Sequence, residues 1–299
     1  MSESNKPLDS RRKFFKRIGT IGLGAATGSV LSFQSCSDDK QKSTEKIKLL
    51  GQDNKLVEVE SSQIQSNKMG LDKEYLHSRG RIGLPDKRFV MVIDLSRCKD
   101  ERKCVQKCQG AHQLKPDQFH INVLEIQDEE SRSTYYMPKP CQHCDNPPCV
   151  SVCPVDATFK RQDGLVLIDN ERCIGCRFCI AACPYSARSF NWTEPKDAEK
   201  YADVEYDMEL NVPQKKGTVT KCAFSADRLR QGKLPYCVTA CPNGVYYFGD
   251  ENENLVTNGT NRETVELDKL LQDNAAYTLM PELGTKPRVY YLPPKKTNS

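Results

Sequence analysis

The sequence is short of the features that mark an enzyme. It has no glycine-rich phosphate loop and no nucleophile-elbow motif, and only four histidines: His77, His112, His120 and His143. Substrate chemistry is therefore expected on another chain. Long apolar runs are also missing. Ile18–Phe33 is short for a bilayer span and carries four glycines, and nothing near the C-terminus is long enough to cross. An excess of one charge is missing once the first 35 residues are set aside. Without their six basic and two acidic side chains the formal net charge of +4 disappears, leaving 38 of each sign. A balanced body gives no electrostatic case for nucleic acid.

What the sequence holds in quantity is cysteine: 15 residues, all but Cys36 lying between Cys98 and Cys241. Such density means disulfides or metal, and spacing decides between them. The clearest run is Cys173-Ile174-Gly175-Cys176-Arg177-Phe178-Cys179-Ile180-Ala181-Ala182-Cys183-Pro184, the C-x2-C-x2-C-x3-C-P pattern of bacterial two-cluster ferredoxins. Three closely spaced thiolates wrap one cube, the fourth reaches the neighbouring cube, and proline sends the chain onward. Its partner runs through Cys141, Cys144, Cys149 and Cys153-Pro154.

The crossed rule predicts one [4Fe–4S] cluster on Cys141, Cys144, Cys149 and Cys183, and a second on Cys173, Cys176, Cys179 and Cys153. Paired C-x2-C units also hold zinc, but zinc does not need the trailing C-x3-C-P. Cysteines two or three apart in one loop bridge poorly as disulfides. The spacing ranks clusters above both.

The outer groups are each one thiolate short. One comprises Cys98, Cys104 and Cys241, with Glu101 where a cysteine belongs; the other comprises Cys222, Cys237 and Cys108, with Ser225 in that place. Three readings stand open at this point. Each site holds a three-iron cluster, or Glu101 or Ser225 supplies an oxygen ligand, or the sites are without iron and their cysteines are disulfides or packed thiols.

At the N-terminus, Ser10-Arg11-Arg12-Lys13-Phe14-Phe15-Lys16 precedes a glycine-rich uncharged stretch. It resembles a twin-arginine export signal, with Arg11 and Arg12 as the pair. That route moves proteins already folded around cofactors, and it predicts a periplasmic location. Cys36 follows the stretch and resembles a lipidation site, a candidate lipid anchor, although Phe33 and Gln34 match that pattern poorly.

The sequence thus divides into a signal over 1–35, a polar extension over 36–88, a double iron–sulfur domain over 89–250 and a C-terminal docking tail over 251–299. Ile47–Leu49 and Leu56–Val59 are expected as a hairpin. Phe89–Asp94, Ile121–Ile126 and Leu165–Ile168 are expected as strands, and Glu263–Asp273 as a short helix. Trp192 is expected in the core. Arg177, Arg188 and Lys221 flank the cluster motifs; they either stabilise reduced clusters or, the commoner case and the expectation, are solvated surface charge. His143, inside a cluster loop, either donates to a sulfur and tunes the potential or, as expected, packs and contacts solvent.

The order of the four cysteine groups resembles the iron–sulfur subunits of molybdopterin oxidoreductases, the family of the dimethyl sulfoxide, polysulfide and tetrathionate reductases and formate dehydrogenase. Pro140–Cys149, Asp169–Pro184, Tyr185–Trp192 and Glu282–Leu292 carry the resemblance. It implies an α+β fold of two pseudo-symmetric ferredoxin-like units: an inner one over 141–192 and an outer one over 89–140 plus 211–250. It also implies up to four clusters, a molybdopterin-type catalytic subunit and a polytopic quinone-reactive membrane subunit as partners, and a role as electron relay. Glu101 and Ser225 depart from the full pattern. A free-standing periplasmic carrier and a zinc- or disulfide-stabilised scaffold are the competing readings.

Overall fold

In the computed structural model, residues 46–50, 56–60, 73–127 and 134–294 are described. The export motif with Arg11 and Arg12, and Cys36, lie outside them. The expected hairpin forms: β1 (Lys46–Leu50) pairs antiparallel with β2 (Leu56–Glu60). It belongs to a unit ending at Asn67, and everything that follows belongs to the unit from Lys68 onward.

That second unit opens with α1 (Lys73–Ile82) and then β3 (Phe89–Asp94), every residue of which is buried. Successive side chains on a strand face opposite ways, and here each face has a core of its own. Met91 and Ile93 point into the cysteine-containing core, whereas Val90 and Val92 pack with Leu292 and Val256 on the other side.

The cysteine groups are strung on strand pairs. Cys98 follows β3 and is succeeded by α2 (Lys103–Ala111) and β4 (Ile121–Gln127). β5 (Thr134–Pro140) leads directly into Cys141, and that group passes through α3 (Pro148–Ser151) into β6 (Thr158–Lys160). β7 (Val166–Ile168) leads to Cys173, α4 (Phe178–Ala181) and β8 (Arg188–Phe190). β9 (Val219–Lys221) leads to Cys222, α5 (Ala226–Arg230), α6 (Tyr236–Ala240) and β10 (Tyr246–Asp250).

Each strand leaving one group pairs antiparallel with the strand arriving at the next: β4 with β5, β6 with β7, β8 with β9, and β10 back with β3. The four loops therefore form a closed cycle. This is the pseudo-symmetry of a ferredoxin-like α+β fold.

Residues beyond 250 extend this framework rather than trail from it. β11 (Leu255–Asn258) and β12 (Thr264–Glu266) widen the sheet on one side, and β13 (Val289–Leu292) adds a parallel strand to β3, giving the order β12-β11-β10-β3-β13. Because Thr264–Glu266 is taken up by strand pairing, the helix expected from Glu263 begins only at Leu267, as α7 (Leu267–Asp273). No described helix is long and apolar enough to cross a membrane.

The end of the polar extension is likewise built in. Arg161 and Arg230 reach the carbonyls of Gly80 and Arg79 near the end of α1, both at 3.2 Å, and share the carboxylate of Glu209 between them.

Candidate iron–sulfur centres

The backbone repeats where the sequence repeats. In every group the residue two places after the first cysteine is left-handed: Asp100 (φ 56), His143 (φ 42), Gly175 (φ 72) and Phe224 (φ 51). Such a turn curls a loop back on itself, so that neighbouring thiols point to one centre. At Gly175 the requirement is also steric, because a Cβ would collide with the Gly217 carbonyl. Three trailing cysteines share a second signature. Cys153, Cys183 and Cys241 are each followed by proline, with a left-handed residue three places on (Asp156, Ser186 and Gly244), and then by β6, β8 and β10.

The outcome is the crossed arrangement. Cys141, Cys144, Cys149 and Cys183 line one cavity of about 320 Å³, together with Tyr185 and Arg188. Cys153, Cys173, Cys176 and Cys179 line another of about 280 Å³, with Arg177 and Thr158. Cys98, Cys104 and Cys241 line a third of about 300 Å³, and Glu101 lies on its wall. The Cys98 loop keeps the left-handed turns of the Cys173 loop at both Asp100 and Arg102.

The remaining set is assembled differently. Cys108, Cys222 and Cys237 are buried, and Ser225 Oγ accepts the Tyr236 N–H at 3.1 Å. Burial pushes the Cys108 and Cys237 thiols well above their ordinary range, and the nearby Cys222 adds to both shifts.

All fourteen cysteines from Cys98 to Cys241 are free thiols. Burial pushes the Cys144 thiol up to about 12, and Cys141, Cys149 and Cys183 press it the same way. Cys98 is pushed up to about 11, by burial first and then by Cys104 and Cys241. Thiols crowded in this way stay protonated unless metal takes the protons' place.

The surrounding polar atoms fit a sulfur-rich anion. Arg188 is buried, and its Nε and Nη2 have no hydrogen-bond partner, while Nη1 donates to Thr158 Oγ1 at 3.1 Å. Its guanidinium feels Cys149, Cys179 and Cys141 together, so it stands between the two four-cysteine cavities. The Tyr246 hydroxyl is buried against the Cys104 thiol at the outer cavity. Buried donors without acceptors are costly in an empty fold, and cluster sulfurs would satisfy them. The Thr158 amide already donates to Cys153 Sγ at 3.4 Å.

Several expectations are corrected by burial. Arg188 and Lys221 are internal, not surface charges: Lys221 is 1% exposed and donates to the Val166 and Cys222 carbonyls. His143 does not reach solvent at all, being 0% exposed. Its Nδ1 accepts the Val166 N–H, so Nε2 carries the proton and donates to the Cys222 carbonyl, both at 3.0 Å. Trp192 is 66% exposed and not core, because it packs edge-on to Phe190 at the rim and takes the Arg177 guanidinium over its ring at 5.0 Å. Only Arg177 is exposed as expected.

The C-terminal segment straps the first inner loop. Lys286 and Thr285 carbonyls accept the Asp145 and Asn146 amides, and Arg288 N–H donates to the Gln142 carbonyl. Asp145 is in turn held by Lys160 at 2.7 Å and Arg288 at 3.1 Å. No sequence pattern pointed to this strap.

Fold and thiol arrangement together define a multi-cluster ferredoxin-type protein. The 4Fe-4S dicluster domain family matches residues 132–209 and 201–251. One subunit of the selenate reductase of Mesobacillus selenatarsenatis is 39% identical over 220 residues, covering 69% of this chain and 72% of that protein. One subunit of the tetrathionate reductase of Salmonella typhimurium is 37% identical over 214 residues (70% and 74%). The iron–sulfur cluster-binding subunit of a menaquinone reductase from Nitratidesulfovibrio vulgaris is 35% identical over 236 residues (69% and 88%). The chain belongs to the family of iron–sulfur subunits of molybdopterin-type oxidoreductases. It is an electron-transfer subunit of an oxidoreductase complex, not the catalytic subunit.

Proposed function

We propose that this chain is exported by the twin-arginine route and relays electrons at the periplasmic face of a membrane, between a polytopic quinone-reactive subunit and a molybdopterin-type catalytic subunit. The observation that carries the reading is the crossing of thiols. Cys183 lines the cavity of the Cys141 group and Cys153 that of the Cys173 group, so two centres share one rigid body. In this reading Cys141, Cys144, Cys149 and Cys183 hold one [4Fe–4S] cluster, and Cys173, Cys176, Cys179 and Cys153 hold a second. Cys98, Cys104 and Cys241 hold a third, with Glu101 at its fourth corner; the left-handed turns that the Cys98 loop shares with the Cys173 loop support that occupancy.

Bound clusters supply one-electron redox chemistry, gaining a negative charge on reduction. The chain's own residues hold the thiolates at fixed spacing, exclude water and set Arg188 between the inner centres to offset charge. Exposed Ile174, Phe178 and Trp192 surround the second inner loop and suit contact with a partner.

Iron and sulfide quantitation with paramagnetic resonance on anaerobically purified protein tests the reading. About eleven to twelve irons are expected, against about eight for two cubes alone. Absence of iron would overturn it. Capture from native membranes that recovers neither a molybdenum protein nor an integral membrane subunit would overturn the relay and leave the clusters standing.

A further inference from the structure

Cys108 differs from the other trailing cysteines. No proline follows it, α2 continues to Ala111, and β4 begins only at Ile121. The additional chain brings two imidazoles to the sulfur. His112 stands four residues after Cys108 at the end of α2, on the same helical face, and His120 returns immediately before β4. One donor atom from each of Cys108, His112 and His120 lies within 4.8 Å of the other two, and all three residues are buried.

The geometry suits a single ion. Cys108 Sγ and His120 Nδ1 are 3.8 Å apart. In a tetrahedral zinc site, with bonds of about 2.3 Å to sulfur and about 2.0 Å to nitrogen, such an edge measures about 3.5 Å. The outward ring nitrogens are already engaged. His112 Nδ1 donates to the Leu210 carbonyl at 2.6 Å, which leaves the lone pair on Nε2. His120 Nε2 is 2.7 Å from Thr220 Oγ1, which leaves Nδ1 facing the sulfur. Orienting bonds of this kind fix tautomer and ring direction in metal-bound histidines.

We propose that Cys108, His112 and His120 form a buried site for one zinc-class divalent ion. The site takes the place of a fourth iron–sulfur cluster. Cys222 and Cys237 are buried beside Cys108, and Cys237 lies on α6, which packs against α2. Ser225, at the position of the missing cysteine, accepts the Tyr236 amide at 3.1 Å. On binding, the Cys108 thiol gives up its proton to solvent while the imidazoles remain neutral, and the ion ties α2 to the start of β4.

The test is metal analysis of the full-length, cluster-loaded protein purified anaerobically from zinc-supplied cells. About one zinc per chain is expected to survive dialysis against EDTA, with sulfur and imidazole nitrogen together in its zinc-edge X-ray absorption. His112→Ala and His120→Ala should each lose most of that zinc and keep wild-type iron; the retained iron shows that the variant is folded. Cys108→Ser should behave likewise. The proposal is overturned by zinc well below stoichiometry, or by zinc that EDTA strips or that persists in the His112→Ala/His120→Ala double variant, an adventitious ion only. It is equally overturned if Cys108→Ser loses iron and not zinc, the mark of a fourth cluster. None of these outcomes depends on the inner clusters, whose iron is read separately.

Discussion

His143 and Phe224 occupy the same place in two different cysteine loops, and their rings stack with centroids 3.8 Å apart and planes at 26°. Each is the left-handed residue two positions after its group's first cysteine. Through this pair, and through the His143 donation to the Cys222 carbonyl, the Cys141 loop is fastened to the Cys222 loop. The contact joins two cysteine groups that are not neighbours in the cycle of strand pairs.

His143→Ala should therefore loosen both loops at once. It removes a stacked core ring and leaves the Val166 N–H without its acceptor, while the Cys222 carbonyl keeps Lys221, a loss of about 2–4 kcal/mol. An anaerobic denaturant titration should show this as an earlier transition. A transition confined to one loop, with the other unmoved, would contradict the coupling.

Exchange of the trailing cysteines gives a crossed phenotype. Cys183→Ser should damage the centre of Cys141, Cys144 and Cys149 and spare that of its own loop; Cys153→Ser should do the reverse. Redox-poised paramagnetic resonance separates the two signals. Loss of the centre in the same loop would refute the arrangement.

Arg188→Met removes a buried positive charge from between the two inner centres. A unit charge roughly 6 Å away in a medium of effective dielectric about 20 is worth on the order of 100 mV in potential. Both inner potentials should fall, and Arg188→Lys should recover most of the shift. Potentials unchanged in a variant with full iron would show that the guanidinium does not act on the clusters.

Glu101 lies on the wall of the outer cavity, so, if it supplies the fourth ligand as proposed, Glu101→Cys should give an ordinary all-thiolate cube there. Glu101→Ala should yield the isotropic signal of an oxidised three-iron centre. If neither substitution alters iron content or spectrum, the outer cavity holds no cluster.

The spacing of the inner eight cysteines by itself determined which thiols share a cavity. C-x2-C-x2-C-x3-C-P is a local pattern whose geometric consequence, a loop that wraps and a tail that reaches across, depends little on the rest of the chain. The strands Phe89–Asp94 and Ile121–Ile126 were equally legible, because apolar β-branched runs leave few alternatives.

Burial and distant pairing needed the tertiary structure. Arg188 and Lys221 read as surface charge because cationic side chains are rarely interior, and the groups that receive them here, Thr158 and the Val166 carbonyl, lie 30 and 55 positions away. Trp192 read as core because large aromatics usually are, yet its position at the rim of a cluster loop leaves it exposed. The strap over the first inner loop and the strand β13 join residues about 140 to 200 positions apart, and no local period encodes such a contact. At Cys108 the sequence showed only a cysteine group lacking a partner thiolate. The turn that returns His120 to Cys108, within 3.8 Å, was decided by how α2 and β4 pack.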